Sequence, residues 1–180
     1  AEPAAVVAII DGDTIDVRLA DGADATVRLI GIDTPETKYP GRPVACFGPE
    51  AAAHTAKLIK PGREVWLERD VSDVDRYDRL LRYVWVEKND GDVYQLNAVL
   101  VRDGYAAAVA YQPDTTYAPA YEQLQTEAQL AGDFAASTSR DTKAGRPPNC
   151  KYSVRMSGVF GQKLGRKYSR PGPWVSSVRY

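Results

Sequence analysis

Three strand-like runs crowd into residues 6–32, and this constrains the fold more than any other feature of the chain. The first, VVAII, is a short apolar run that ends in the turn sequence IDGDT. The second, TIDVRL, alternates apolar and polar residues with the period of two that puts one face inside and the other out. The third, ATVRLIGI, returns after the turn ADGAD, so the pattern predicts a strand followed by a hairpin.

Downstream, KYPGRPVACFG carries two Pro and two Gly and reads as an exposed loop. Pro49-Glu50 opens a helix, EAAAHTAKLI, which Lys60-Pro61-Gly62 ends. REVWLER is a fourth strand and LLRYVWVE a fifth, joined by the charged loop DVSDVDRYDR. QLNAVLVRDG sets Leu96, Val99 and Leu100 on one helical face with Gly104 at its stop, and a last helix fits residues 118–130. Five strands with one helix midway and two after them predict an α+β domain built on a small closed, OB-type barrel. The expected division is a domain at residues 1–136 and a basic, disordered extension at 137–180.

The formal net charge of −1 hides a sharp asymmetry. Residues 1–139 hold 13 Lys+Arg against 23 Asp+Glu, whereas 140–180 hold 10 Lys+Arg and a single acid, Asp141. Such a tail, with aromatic residues interleaved among cations, suits an anionic or single-stranded nucleic-acid contact, but the stronger reading is an extension with no fixed structure. The acidic body attracts no polyanion by itself, so phosphate chemistry there needs local cations or a metal. No apolar run approaches the ~18 residues of a membrane span, and no membrane partner is expected. The opening AEPAA fits a secreted protein after removal of its signal peptide, and fits a trimmed chain just as well. Cys46 and Cys150 are the only cysteines; they either pair or stay as separate thiols, and no CxxC or Cys/His pattern calls for zinc.

Chemistry concentrates in IDGDT, in RLIGIDTPE and in DVDRYDR. Phosphodiester hydrolysis needs a nucleophilic water, a group to position or deprotonate it, and positive charge around the phosphate. Asp13, Asp33 and the Thr34 backbone offer the oxygen donors a hard cation prefers. Arg28 and Arg79 offer planar, bidentate contacts to phosphate. Arg28, set inside an apolar strand, also admits a second reading, an ion pair with Asp33 or Glu36 that merely holds the turn.

Taken together, IDGDT, RLIGIDTPET, FGPEA, DRYDR and VAYQPDTT make the chain resemble the staphylococcal nuclease family from about Val6 to Phe134. The resemblance implies a five-stranded OB-type barrel with three helices and calcium-dependent cleavage of DNA and RNA that leaves 3′-phosphate ends. It implies that Asp13 and Asp33 hold Ca2+ with the Thr34 carbonyl, and that Glu36 orients or deprotonates the attacking water. Arg28 and Arg79 would bind the scissile phosphate, Arg76 and Tyr77 a neighbouring terminal phosphate, and Tyr111 would stack near the base. Arg42 takes the place of a basic residue that helps hold substrate. A secreted monomer acting on single- and double-stranded DNA and RNA is the expected form. The competing reading is a non-catalytic OB-fold nucleic-acid-binding module, against which the retained carboxylates argue.

Three positions depart from the family pattern. Asp78 stands where the family usually has Gly, Arg76 where Lys is common, and Val109 where a second tyrosine would help stack the base. His54 lies in an Ala-rich helix and is expected to be structural, as are Trp66 and Trp85 in their strands. Asp73 and Asp75 read as solvated loop charges able to bias Arg76 or Arg79.

Overall fold

The computed structural model describes residues 1–35 and 47–131. Strand β1 (Glu2–Asp11) turns at the DGDT sequence into β2 (Thr14–Leu19), and β3 (Asp24–Leu29) returns antiparallel to it. The alternation read from TIDVRL is real: Ile15 and Val17 are wholly buried, as are Val27 and Leu29 on the neighbouring β3. After the short β4 (Ile32–Asp33) come helix α1 (Gly48–Leu58), β5 (Glu64–Glu68) and β6 (Leu80–Glu87). The strands follow the order β3-β2-β1-β5-β6, and a parallel pairing of β3 with β6 closes them into a five-stranded barrel. Closure leaves no barrel edge unpaired.

β1 is longer than the VVAII run, because Pro3 and its neighbours pair with β5 around Trp66. Two register shifts, near Ala8 and before Asp11, bend it so that one strand serves both neighbours. The sequence also concealed β7 (Val93–Gln95), which pairs with the end of β6, and a two-residue pairing of β4 with β8 (Ala107–Ala108). Between them lies α2 (Leu96–Arg102), and α3 (Ala118–Ala131) follows; both match the expected helices.

β6 is buried on both faces. Val84 and Val86 lie on one, while Tyr83 and Trp85 on the other meet Tyr117, whose ring stands edge-on to Tyr83 at 4.6 Å. Trp85 is a core residue and donates its indole N–H to Glu68, whereas Trp66 is only half-buried. Asn97 of α2 is fully buried; its side chain accepts the Val84 N–H and donates to the Ile30 carbonyl, tying β6 to the turn after β3. His54 is structural as expected: it stacks on Tyr105 at 4.0 Å and lies 3.0 Å from Asp103, fastening α1 to the end of α2. Among the described residues no helix is long and apolar enough to cross a membrane. Most of the loop expected at 38–48, the question of a Cys46–Cys150 bridge and the whole 137–180 tail lie outside the described residues.

Candidate active site

The turn between β1 and β2 is pressed against the segment that follows β4. A side chain added at Gly12 would meet the Thr34 hydroxyl at 2.8 Å, so only hydrogen fits there. Asp13 uses this approach. Its Oδ2 accepts the Thr34 backbone N–H at 2.8 Å and the Thr34 hydroxyl at 2.9 Å, while Oδ1 accepts the Thr14 hydroxyl at 3.1 Å. A nearly buried carboxylate is thereby satisfied by fixed donors and held in one orientation.

Arg28 on β3 projects into the same place. Nη1 donates to the carbonyls of Leu29 and Ile32, and Nη2 lies 3.0 Å from Asp33 Oδ1 and 3.2 Å from Asp13 Oδ2. The ion pair that the sequence allowed is therefore present, and it extends to a second acid from another hairpin. Gly31, at φ 78°, makes the turn that brings the Ile32 carbonyl back to Arg28. Arg28 is largely buried, whereas the Asp33 side chain keeps 43% of its surface in solvent and faces outward.

Arg79 arrives from the loop before β6. Asp75 accepts the backbone N–H groups of Tyr77 and Arg79 on Oδ1, and the Arg79 side chain on Oδ2 with Nη2 at 2.6 Å. Burial alone would raise the Asp75 carboxyl, but these hydrogen bonds outweigh it and hold it below the ordinary range. Asp75 is thus no solvated loop charge but the post on which the loop is wound, and it biases Arg79 as expected; Asp73 stays exposed, as expected, while pairing with Arg82 at 2.7 Å. Asp78 sits at φ 62°, the left-handed conformation that glycine adopts most readily, which explains why Gly suits this position.

Asp13, Arg28, Asp33, Thr34 and Arg79 line one cleft of about 370 Å³, with Asp11 beside them. Five residues singled out in the sequence from three separate motifs therefore come together. Arg76 and Tyr77 lie on the Arg79 loop outside the cleft, exposed, with the Arg76 guanidinium 4.7 Å over the Tyr77 ring and bonded to its hydroxyl. Tyr111 is also exposed and does not line the cleft. Glu36 and Arg42 lie outside the described residues.

The donors in the cleft are carboxylate, hydroxyl and main-chain oxygens, a set that suits a hard divalent cation and not a thiophilic one. Among the described residues no three His, Cys, Asp or Glu side chains are placed to hold a metal by themselves. A cation here would draw on Asp13, Asp33 and backbone or solvent oxygens.

Asp70 and Asp114 were not singled out in the sequence as site residues, although Asp114 lies in the VAYQPDTT motif. Asp114 accepts the Val71 and Ser72 N–H groups, and Asp70 accepts Thr116 and the Tyr83 hydroxyl. The only local signal is a turn-forming Asp in QPDTT, whose partners lie more than 40 residues away.

The family described as staphylococcal nuclease homologue matches residues 26–133. A thermonuclease of Staphylococcus hyicus is 41% identical over 124 residues, covering 69% of this chain and 69% of that protein. A thermonuclease of Staphylococcus intermedius is 45% identical over 121 residues, covering 67% and 68%. Endonuclease YncB of Bacillus subtilis is 39% identical over 122 residues, covering 67% of this chain and 54% of its own length. The matched region contains the closed barrel's β3 and β6 together with Arg28, Asp33, Thr34 and Arg79, so the chain belongs to the staphylococcal nuclease family and is a hydrolytic nuclease of that type.

Proposed function

We propose that the protein is a calcium-dependent nuclease that hydrolyses phosphodiester bonds of DNA and RNA and leaves 3′-phosphate ends. The observation that carries this reading is the convergence of two arginines and two carboxylates from separate hairpins in one solvent-open cleft. Asp13, Asp33 and the Thr34 carbonyl hold the calcium ion, which supplies positive charge to a phosphate oxygen and acidifies water near it. Arg28 and Arg79 bind the scissile phosphate. Arg79 is aimed in advance by Asp75, so its hydrogen bonds to developing negative charge cost little reorganisation. Arg28, whose terminal N–H groups serve two carbonyls and two carboxylates, meets the phosphate through Nε or by exchanging a carboxylate for it.

Glu36 follows Asp33 by three residues and takes a proton from the attacking water. The water oxygen bonds to phosphorus, the bond from phosphorus to the 5′-oxygen breaks, and the phosphate stays on the 3′ carbon. The departing 5′-oxygen is protonated from solvent. Arg76 and Tyr77 hold a neighbouring terminal phosphate, Arg42 adds a further cation, and Tyr111 stacks on a base. The domain at 1–136 carries the reaction as a monomer outside the cell, and the 137–180 tail is an appendage to it.

The test is cleavage of single-stranded DNA with calcium supplied, with a chelator added, and in Glu36→Gln. Either treatment should nearly abolish cleavage, and full activity after either overturns the mechanism. DNA that is bound but remains intact in the presence of calcium would favour a non-catalytic binding module instead.

A further inference from the structure

We propose that Asp114 is a positioning residue that sets the Tyr111 loop against the Arg79 loop, and so fixes the spacing at which the enzyme grips one nucleotide. The proposal rests on the reading of the site given above. Two loops are involved: one follows β8 and carries Tyr111, the other joins β5 to β6 and carries Arg79. Their flanking strands pair elsewhere, β8 with β4 and β6 with β3 and β5.

Asp114 bridges them. Its Oδ1 accepts the backbone N–H of Val71 at 3.0 Å and of Ser72 at 2.8 Å, while its own N–H donates to the Tyr111 carbonyl at 2.9 Å. Thr116 answers from the same loop, donating its N–H and hydroxyl to Asp70. On the far side the links continue: Asp73 holds Arg82, and Asp75 holds Arg79. Hydrogen bonds at either end of the chain segment from Ser72 to Asp75 thus connect the backbone of Tyr111 to the guanidinium of Arg79.

The location of these bonds argues for positioning rather than for general support. Asp114 is buried, yet the amides it holds belong to an exposed loop; Val71 is 65% exposed. Asp114 is no member of the apolar core cluster, and its hydrogen bonds hold loop amides and not barrel strands. What changes on removing them is the distance between a base-stacking ring and a phosphate-binding arginine, and a misplacement of that kind weakens binding of substrate.

The experiment compares Asp114→Ala with Asp114→Asn, because Asn keeps the Oδ1 acceptor that both amides use. On a short single-stranded oligonucleotide, Asp114→Ala should raise KM roughly fivefold with kcat little changed, and Asp114→Asn should restore it. In a Tyr111→Ala background the Asp114→Ala effect should largely vanish, since the residue it positions is gone. Anisotropy of the same oligonucleotide, labelled and bound to Glu36→Gln variants, reads Kd without turnover. A protein that binds but does not cleave therefore fails the proposed reaction and still decides this point. Thr116→Val, which keeps the backbone bond to Asp70, repeats the measurement if Asp114→Ala does not fold. Unchanged KM and Kd in the folded variant, no restoration by Asn, or an undiminished effect without Tyr111 each overturn the proposal.

Discussion

Asp75 holds Arg79 at three points: its Oδ1 is 3.0 Å from the Arg79 backbone N, and its Oδ2 is 2.8 Å from Nε and 2.6 Å from Nη2. The Arg79 guanidinium is thus neutralised and aimed by a carboxylate of its own loop. Asp75→Asn keeps an oxygen for the backbone bonds but loses the charge. Its kcat/KM on single-stranded DNA should fall about tenfold, a loss of ~1.4 kcal/mol in transition-state stabilisation. Steady-state kinetics checks this.

Arg28 serves two carbonyls and two carboxylates with one planar group. Lysine carries the charge but not the fork, so Arg28→Lys should lower kcat by roughly a hundredfold or more. Urea unfolding of the same variant should show a loss of about 1–3 kcal/mol, because buried carbonyl and carboxylate partners are left unmatched.

Asp78 combines a left-handed backbone with a negative charge beside the phosphate-binding arginine. Asp78→Gly relieves the first, for a gain of up to about 1 kcal/mol, and removes the second. KM should fall at low salt, and the difference should shrink near 1 M salt, where charges are screened. A titration of KM against ionic strength separates the two effects.

Gly31 lies at φ 78°, and a Cβ there would meet the Tyr121 ring at 2.7 Å. Gly31→Ala meets both strain and a clash, and should cost about 2–4 kcal/mol by thermal or urea unfolding. Activity per folded molecule should fall too, because this turn presents the carbonyls that hold Arg28.

Stability should fall away at both pH extremes. Burial pushes Asp70 and Asp103 up, yet hydrogen bonds from Thr116 and Tyr83, and from His54 and Arg102, leave both below the ordinary 3.8, as with Asp75. Such carboxyls bind a proton less readily when folded, so their contribution is complete above that value and is lost as pH falls through the folded values. On the alkaline side burial, then Glu68, pushes Tyr117 up to about 12, and burial with Asp70 raises Tyr83 further above the ordinary 10.0. Their contribution is complete below 10.0 and is lost as pH rises toward the folded values. Cleavage, helped by hydroxide, should therefore climb from neutral pH until the fold weakens beyond about pH 10. Parallel activity and circular-dichroism profiles read both limbs.

The first hairpin of the barrel was legible because β2 and β3 alternate inside and outside, as Ile15, Val17, Val27 and Leu29 show. The fifth strand was legible because LLRYVWVE is a bounded apolar run. β4 and β8 were not, since two-residue pairings carry no period. The cleft residues stood out because an arginine or an acid inside an apolar strand is conspicuous. Asp70, Asp73, Asp75 and Asp114 did not, because their partners are amides, hydroxyls and arginines chosen by the fold; in the sequence they look like ordinary loop acids.

The parallel pairing of β3 with β6 brings Val27, Arg28 and Leu29 beside Leu80, Leu81 and Arg82, across more than 50 residues of chain. Arg28 stands in the first of these strands and Arg79 directly precedes the second. The two cleft arginines thus become neighbours only when that seam closes. A chain without β6 holds Asp13, Arg28 and Asp33 but has no strand to set Arg79 beside them. The cleft is thus a product of the closed barrel, and a chain whose seam is open lacks it.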